Sequence, residues 1–164
     1  MKTITIKTPA GAFHASFTER GLARLEFPGR ADTSQSNGTS PAIPSRQTRH
    51  WEHLTRAAVE SLLDGHVPKE LPPLDLSDGT EFQRRVWNAL KAIPLGKTKS
   101  YGQIAQTVGR PDAARAVGQA CGANPIPLLI PCHRVLAANR KLGGFSGGLD
   151  WKKRLLAVEK IQLG

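Results

Sequence analysis

Cys132 and His133 stand side by side in the run Asn124-Pro125-Ile126-Pro127-Leu128-Leu129-Ile130-Pro131-Cys132-His133-Arg134-Val135. The thiolate is the nucleophilic form of cysteine. A free thiol is only a few per cent ionised near neutral pH, so its use as a nucleophile calls for a base or nearby cations. His133 and Arg134 offer both, and both would be expected to raise the thiolate fraction. Side chains adjacent in the chain seldom hydrogen-bond directly, so a Cys132–His133 relay is expected to pass through one water. The histidine needs an orienting acceptor in turn. Glu159 is the candidate, because Trp151, Leu155 and Val158 lie to one side of it on a helical wheel and Leu156 to the other. A carboxylate inside an apolar arc requires a partner. A structural arginine or a backbone amide is the other partner open to it, and an inert buried thiol is the plain alternative for Cys132.

Metal chemistry finds no support in the spacing. Cys121, Cys132, His14, His50, His53, His66 and His133 form no paired zinc pattern. Gly143-Gly144 and Gly147-Gly148 flank Phe145-Ser146 outside any strand–helix context, which makes a flexible turn rather than a nucleotide cradle.

These side chains must be carried by a framework, and its outline is readable. Residues 1–27 alternate polar and apolar in three runs, around Ile4 and Ile6, around Phe13, Ala15 and Phe17, and from Leu22 to Phe27, which predicts a small antiparallel meander. Residues 28–46 read as a mobile loop, and residues 47–64 as a helix with Leu54, Ala58 and Leu62 on one stripe. Pro72-Pro73 opens a linker to about Gly79. The second half reads as helical. Thr80-Glu81-Phe82-Gln83 and Ser100-Tyr101-Gly102-Gln103 are two capping-box patterns, each opening a helix. Pro111 suits the first turn of a third helix over about 111–123, so two short helices around Gly109-Arg110-Pro111 predict a helix-turn-helix. A loop over 124–148 and a last helix over 149–162 complete the chain.

On the third helix Ala114, Val117 and Cys121 are expected to face inward, and Arg115, Gly118, Gln119 and Gly122 outward. A glycine inside a helix costs about 1 kcal/mol relative to alanine, so two of them suggest a close approach to the backbone. With one arginine on that bare face, the two readings are a nucleic-acid groove or close packing against another helix. Charge favours the first. The chain has 23 Lys and Arg against 13 Asp and Glu. Residues 1–78 carry nine basic and nine acidic residues, whereas residues 79–164 carry fourteen and four. The whole excess of +10 therefore sits in one half, as suits a polyanionic partner. Two cysteines in 164 residues exclude a disulfide scaffold, and no apolar run nears the ~20 residues of a membrane helix. The alternating start, Met1 to Lys7, does not read as a signal peptide, so a cytoplasmic setting is expected.

Pro131-Cys132-His133-Arg134-Val135 resembles the signature of the alkylguanine-DNA alkyltransferases, also called methylated-DNA–protein-cysteine methyltransferases. Further blocks agree in order and spacing: Gly79-Thr80-Glu81-Phe82-Gln83, Val86-Trp87, Ile93-Pro94, Ser100-Tyr101, Ala113-Ala114-Arg115-Ala116-Val117-Gly118, Asn124-Pro125 and Ser146-Gly147-Gly148. The match covers residues 79–162, and residues 1–78 fit only loosely. The resemblance implies an α+β chain: a small ribonuclease H-like amino-terminal α/β domain over 1–78, with an antiparallel sheet and a helix, then a mainly helical DNA-binding and alkyl-acceptor domain over 79–164. It implies irreversible transfer of an alkyl group from O6 of guanine, and from O4 of thymine, to Cys132, with the nucleotide flipped out of double-stranded DNA and no cofactor.

The same resemblance implies the residue roles. His133 and Glu159 activate Cys132 through a water, and Asn124 holds the loop that carries it. Arg115 fills the space left by the flipped base, with Ala114 and Gly118 beside it on the DNA-binding helix. Tyr101 crowds the neighbouring phosphate and lies near the guanine. The pocket is formed by Val135, Phe145, Ser146 and Gly147, with Lys152 supporting the Cys132 loop. The resemblance also implies a monomer, and leaves cooperative assembly on DNA open. Phe145 departs from the Tyr of many relatives, and Gly102 from the Gln of some. A DNA-binding regulator without transfer, and a cysteine hydrolase, are the competing expectations from other classes.

Overall fold

The computed structural model describes residues 1–29 and 45–164, so nearly all of the loop expected over 28–46 lies outside the described residues. Strands β1 (Lys2–Thr8), β2 (Gly11–Thr18) and β3 (Gly21–Glu26) form an antiparallel sheet in the order β1-β2-β3. The period-two pattern sets the register: Ile6 lies opposite Phe13 and Ala15 opposite Leu25, so the apolar side chains share one face. Helix α1 (Arg46–Leu63), capped by Ser45, packs on the sheet and buries Trp51, Leu54, Ala58, Val59 and Leu62. The proline-rich linker is laid along β3. The Leu22 amide donates to Pro73 O at 2.8 Å and the Asp75 amide to Leu22 O at 2.7 Å.

Helix α2 (Glu81–Lys91) opens with the full capping box: Gln83 N donates to Thr80 Oγ1 and Thr80 N to Gln83 Oε1. Ser100 and Gln103 repeat the device on α3 (Tyr101–Thr107). The third helix, α4 (Ala114–Gly122), starts later than the sequence predicts. The Ala113 amide donates to Arg110 O at 2.9 Å, closing a turn over Pro111 and Asp112 that keeps Pro111 out of the helix. Helices α3 and α4 together make the expected helix-turn-helix.

Helix α5 (Leu149–Val158) stops short of the predicted end. Lys160 turns left-handed at φ 60° and its amide closes on Ala157 O, so Glu159 sits at the helix end rather than on its face. One contact went unread in the sequence. Strands β4 (Lys99–Ser100) and β5 (Val135–Leu136) pair in parallel, which ties the segment after Cys132 to the start of α3. A continuous apolar core runs from Phe13 and Phe17 of the sheet through Val86 and Leu90 of α2, Ile104 of α3 and Val117 of α4 to Leu155 of α5. Among the described residues no helix is long and apolar enough to cross a membrane.

Candidate active site

Asn124 shapes the acceptor loop. It is 4% exposed, donates through Nδ2 to Ile130 O at 2.9 Å and accepts the Ile126 amide at 2.9 Å through Oδ1. One amide side chain thus closes both ends of the turn, inside which Leu128 adopts φ 82°. The chain then passes Pro131 into a single 3-10 turn, Cys132–Arg134, so Cys132, His133 and Arg134 all point into the protein.

His133 is fully buried, and its Nε2 lies 2.6 Å from Glu159 Oε2. Glu159 is held further by Arg134, whose Nε and Nη2 donate to Oε1 at 2.8 Å and to Oε2 at 3.2 Å, and by the Gly96 amide at 3.1 Å. Arg134 also donates to Ile93 O at 2.7 Å. The sequence offered a histidine relay and a structural arginine as alternative partners for Glu159, and the structure has both. Burial opposes the charged carboxylate, but His133 and Arg134 outweigh it and lower its pKa to about 2. An ionised Glu159 can only accept, so Nε2 carries the hydrogen. Burial lowers the His133 pKa despite the pull of Glu159, so the ring is neutral at pH 7 and Nδ1 is its bare nitrogen. Nδ1 is buried and, among the described residues, has no hydrogen-bond partner.

Cys132 is 2% exposed, and burial raises its pKa to about 11 against the opposing pull of Asn124, Lys152 and Ser146. A nearby cation, Lys152, does favour the thiolate as a cation should, but burial outweighs it. The resting sulfur is a thiol, because desolvation of a thiolate outweighs the nearby cation. In the DNA-free protein, modification of Cys132 by iodoacetamide should be slow at pH 7 and climb with pH, with an inflection at about 11. A pH series read by intact mass checks this, and an inflection below pH 8 would refute it.

Lys152 is a fully buried ammonium on α5. It donates to Val135 O at 2.8 Å and Gly144 O at 2.9 Å, joining β5 to the segment that carries Phe145 and Ser146. Burial lowers its pKa to about 8. That segment walls an open cavity of about 540 Å³ bounded by Tyr101, Ala114, Arg115, Gly118, Gln119, Gly122, Gly144, Phe145 and Ser146. Arg115, Gly118, Gln119 and Gly122 thus share one face as expected. Ala114 joins them instead of packing inward, and Val117, Ala120 and Cys121 are the buried side. Tyr101 is half-buried, and its hydroxyl would lie 2.7 Å from a Cβ at Gly143, which explains a glycine there. Cys132, Val135, Gly147 and Lys152 lie outside the lining of this cavity. Ser146 connects it to the thiol, which its side chain faces, and Lys152 connects it to Val135.

Sequence reasoning missed the double grip of Arg134 on Glu159 and the Gly96 amide. The usable signal was a cation within an otherwise apolar, inward-turned stretch.

A family model described as 6-O-methylguanine DNA methyltransferase, DNA binding domain, matches residues 81–161. A methylated-DNA–protein-cysteine methyltransferase of Methanosarcina acetivorans is 51% identical over 156 residues, covering 93% of this chain and 94% of that protein. Its namesake in Mycobacterium bovis is 58% identical over 123 residues, 71% of this chain and 73% of the relative. The structure of Mycobacterium tuberculosis OGT in complex with DNA matches at a TM-score of 0.74 and 37% identity, over 95% of this chain and 91% of that one. An O6-methylguanine DNA methyltransferase from Methanococcus jannaschii matches at 0.67 and 30%, over 98% and 95%. Likeness of this degree along nearly the whole length, in sequence and in fold, makes the chain a member of the methylated-DNA–protein-cysteine methyltransferase family.

Proposed function

We propose that the protein repairs DNA by taking an alkyl group from O6 of guanine onto Cys132, once per molecule. The observation that carries this reading is the buried His133–Glu159 pair standing next in the chain to a buried thiol. Glu159 fixes the His133 tautomer at 2.6 Å, which leaves the bare Nδ1 to receive the thiol proton through one water.

The target atom lies inside a duplex, so the base must be turned out at a cost of a few kcal/mol, less where alkylation has weakened its pairing. The cavity between α4 and the Gly144–Ser146 segment receives it. Arg115, exposed on the glycine-bare face of α4, enters the stack in its place, and Tyr101 crowds the adjacent phosphate. The Ser146 amide donates to O6, and the carbonyls of Cys132 and Val135 accept from the exocyclic amine. Val135 O keeps a lone pair beyond the one used by Lys152. The sulfur attacks the alkyl carbon, the S–C bond forms as the C–O6 bond breaks, and the electron pair stays on the base. The thiol proton ends on guanine through His133, and the thioether is permanent. Residues 79–164 act as the DNA-binding and acceptor domain, which the match to 81–161 supports. The protein works as a monomer in a reducing cytoplasm, where Cys132 remains a thiol.

Incubation with duplex DNA containing O6-methylguanine, followed by intact-mass measurement, tests the proposal. One methyl per molecule on Cys132 is expected. Binding without a mass change would indicate a regulator, and repeated turnover on an ester or peptide would indicate a hydrolase. Arg115→Ala should slow repair of the duplex by about a hundredfold, the worth of a few kcal/mol of unstacking, and leave reaction with the free alkylated base nearly unchanged. Comparing the two substrates checks this, and equal losses on both would remove the stacking role.

A further inference from the structure

We propose that Phe27, in the amino-terminal half of the chain, sets the size of O6 substituent that the acceptor pocket admits, acting as a positioning residue through Phe145. The inference rests on the alkyl-transfer reading above.

Phe27 directly follows β3 and is 1% exposed. Its ring meets Phe13 at 5.0 Å and 62°, Trp151 of α5 at 5.0 Å and 88°, and Phe145 at 5.6 Å and 74°, all edge to face. Phe145 also stands edge to face with His133, with centroids 6.3 Å apart, and it lines the base cavity, which Phe27 does not. Phe145 is thus a cavity wall backed by Phe27.

Two further observations show that this wall has little slack. A Cβ at Gly147 would lie 2.7 Å from the Phe145 ring and 3.1 Å from the Phe27 ring, so the segment is already in tight contact with both. Phe145 also has no hydroxyl, so no side-chain hydrogen bond can tether it, and packing alone fixes its place. The sheet grips the site at a second point, because the Leu25 amide donates to Pro125 O at 2.9 Å beside Asn124, the residue that closes the acceptor loop. A smaller residue at 27 would leave a void into which Phe145 can retreat, since close-packed walls hold their position only while their backing is filled. The pocket would widen on the side facing the substituent.

The test compares rates on duplex DNA carrying O6-methylguanine with those on the same duplex carrying O6-benzylguanine. The ratio cancels changes in DNA binding and in the amount of folded protein. Phe27→Leu should raise the benzyl-to-methyl ratio by about tenfold, the range that a methylene or two in a pocket commands. Phe145→Leu should raise it similarly, and the double variant should add little, because both act on one wall. Phe13→Leu, one ring further out, should lower stability without moving the ratio. Phe27→Met, of nearly the same volume as leucine but with a flexible unbranched chain, provides the shift if Phe27→Leu does not fold. An unchanged ratio in a folded Phe27 variant, additive effects of positions 27 and 145, or an equal shift from Phe13→Leu would each overturn the proposal. If the unaltered protein takes no alkyl group from either duplex, the transfer reading itself fails, which separates the two failures.

Discussion

Cys132→Ala should take up no alkyl group from DNA containing O6-methylguanine while still binding the duplex. Cys132 adjoins the buried His133–Glu159 pair, and the exposed residues of α4 proposed to meet DNA are untouched by the change. The second thiol cannot substitute. Cys121 lies on the inner side of α4, is 5% exposed, and is pushed by burial up to about 12. Removing one buried sulfur costs about 1 kcal/mol, in the range of small core deletions, so the folded protein survives and the loss is chemical. Intact mass and duplex affinity, measured on the same sample, give the answer. A methyl gained by the variant, on Cys121 or elsewhere, would take the acceptor role from Cys132.

Glu159→Ala should be the most destabilising substitution in the site. It leaves the Arg134 cation, 6% exposed, and the fully buried His133 without their shared partner. Breaking a buried ion pair by removing one side costs about 3–5 kcal/mol, read as a drop in unfolding free energy in denaturant. Transfer should fall as well, by about 10²–10⁴, because His133 loses the acceptor that fixes its tautomer. The change also alters the acid limb of stability. A Glu159 pKa lowered from 4.5 to about 2 contributes about 3 kcal/mol, present above pH 4.5 and lost as pH falls towards 2. His133, whose folded pKa lies below 6.5, acts in the same direction, since its contribution is present above that value and lost on acidification. The unaltered protein should weaken steeply in acid, and Glu159→Ala should show a flatter loss between pH 4.5 and 2. Identical acid profiles would mean that the carboxylate is not stabilised as described.

What the sequence disclosed follows from the range of the forces involved. Capping at Thr80 and Ser100 involves residues three apart, and the sheet register follows from alternation, so both were legible. The adjacency of Cys132 and His133, and the isolated carboxylate at 159, were legible for the same reason. Contacts across long separations were not. Glu159 meets Gly96 over 63 positions, and β4 pairs with β5 across α3, α4 and the acceptor loop. The start of α4 was misread because a local turn over Pro111 competes with helix entry, and the end of α5 because Lys160 adopts a left-handed conformation that favours glycine. The ionisation of Cys132 could not be judged from its neighbours in the chain, since it depends on how completely the fold excludes water.

The two helical glycines of α4 carry a practical consequence for anyone seeking a hardier protein. A Cβ at Gly122 would touch nothing within 4 Å, and one at Gly118 would reach only ordinary contact with Tyr101 at 3.8 Å. Alanine at either place should therefore add about 1 kcal/mol of heat resistance, and a thermal screen would select it. Those same methyl groups would project into the face of α4 proposed to meet the duplex, and on that proposal the most heat-tolerant clones would be among the poorest at repair.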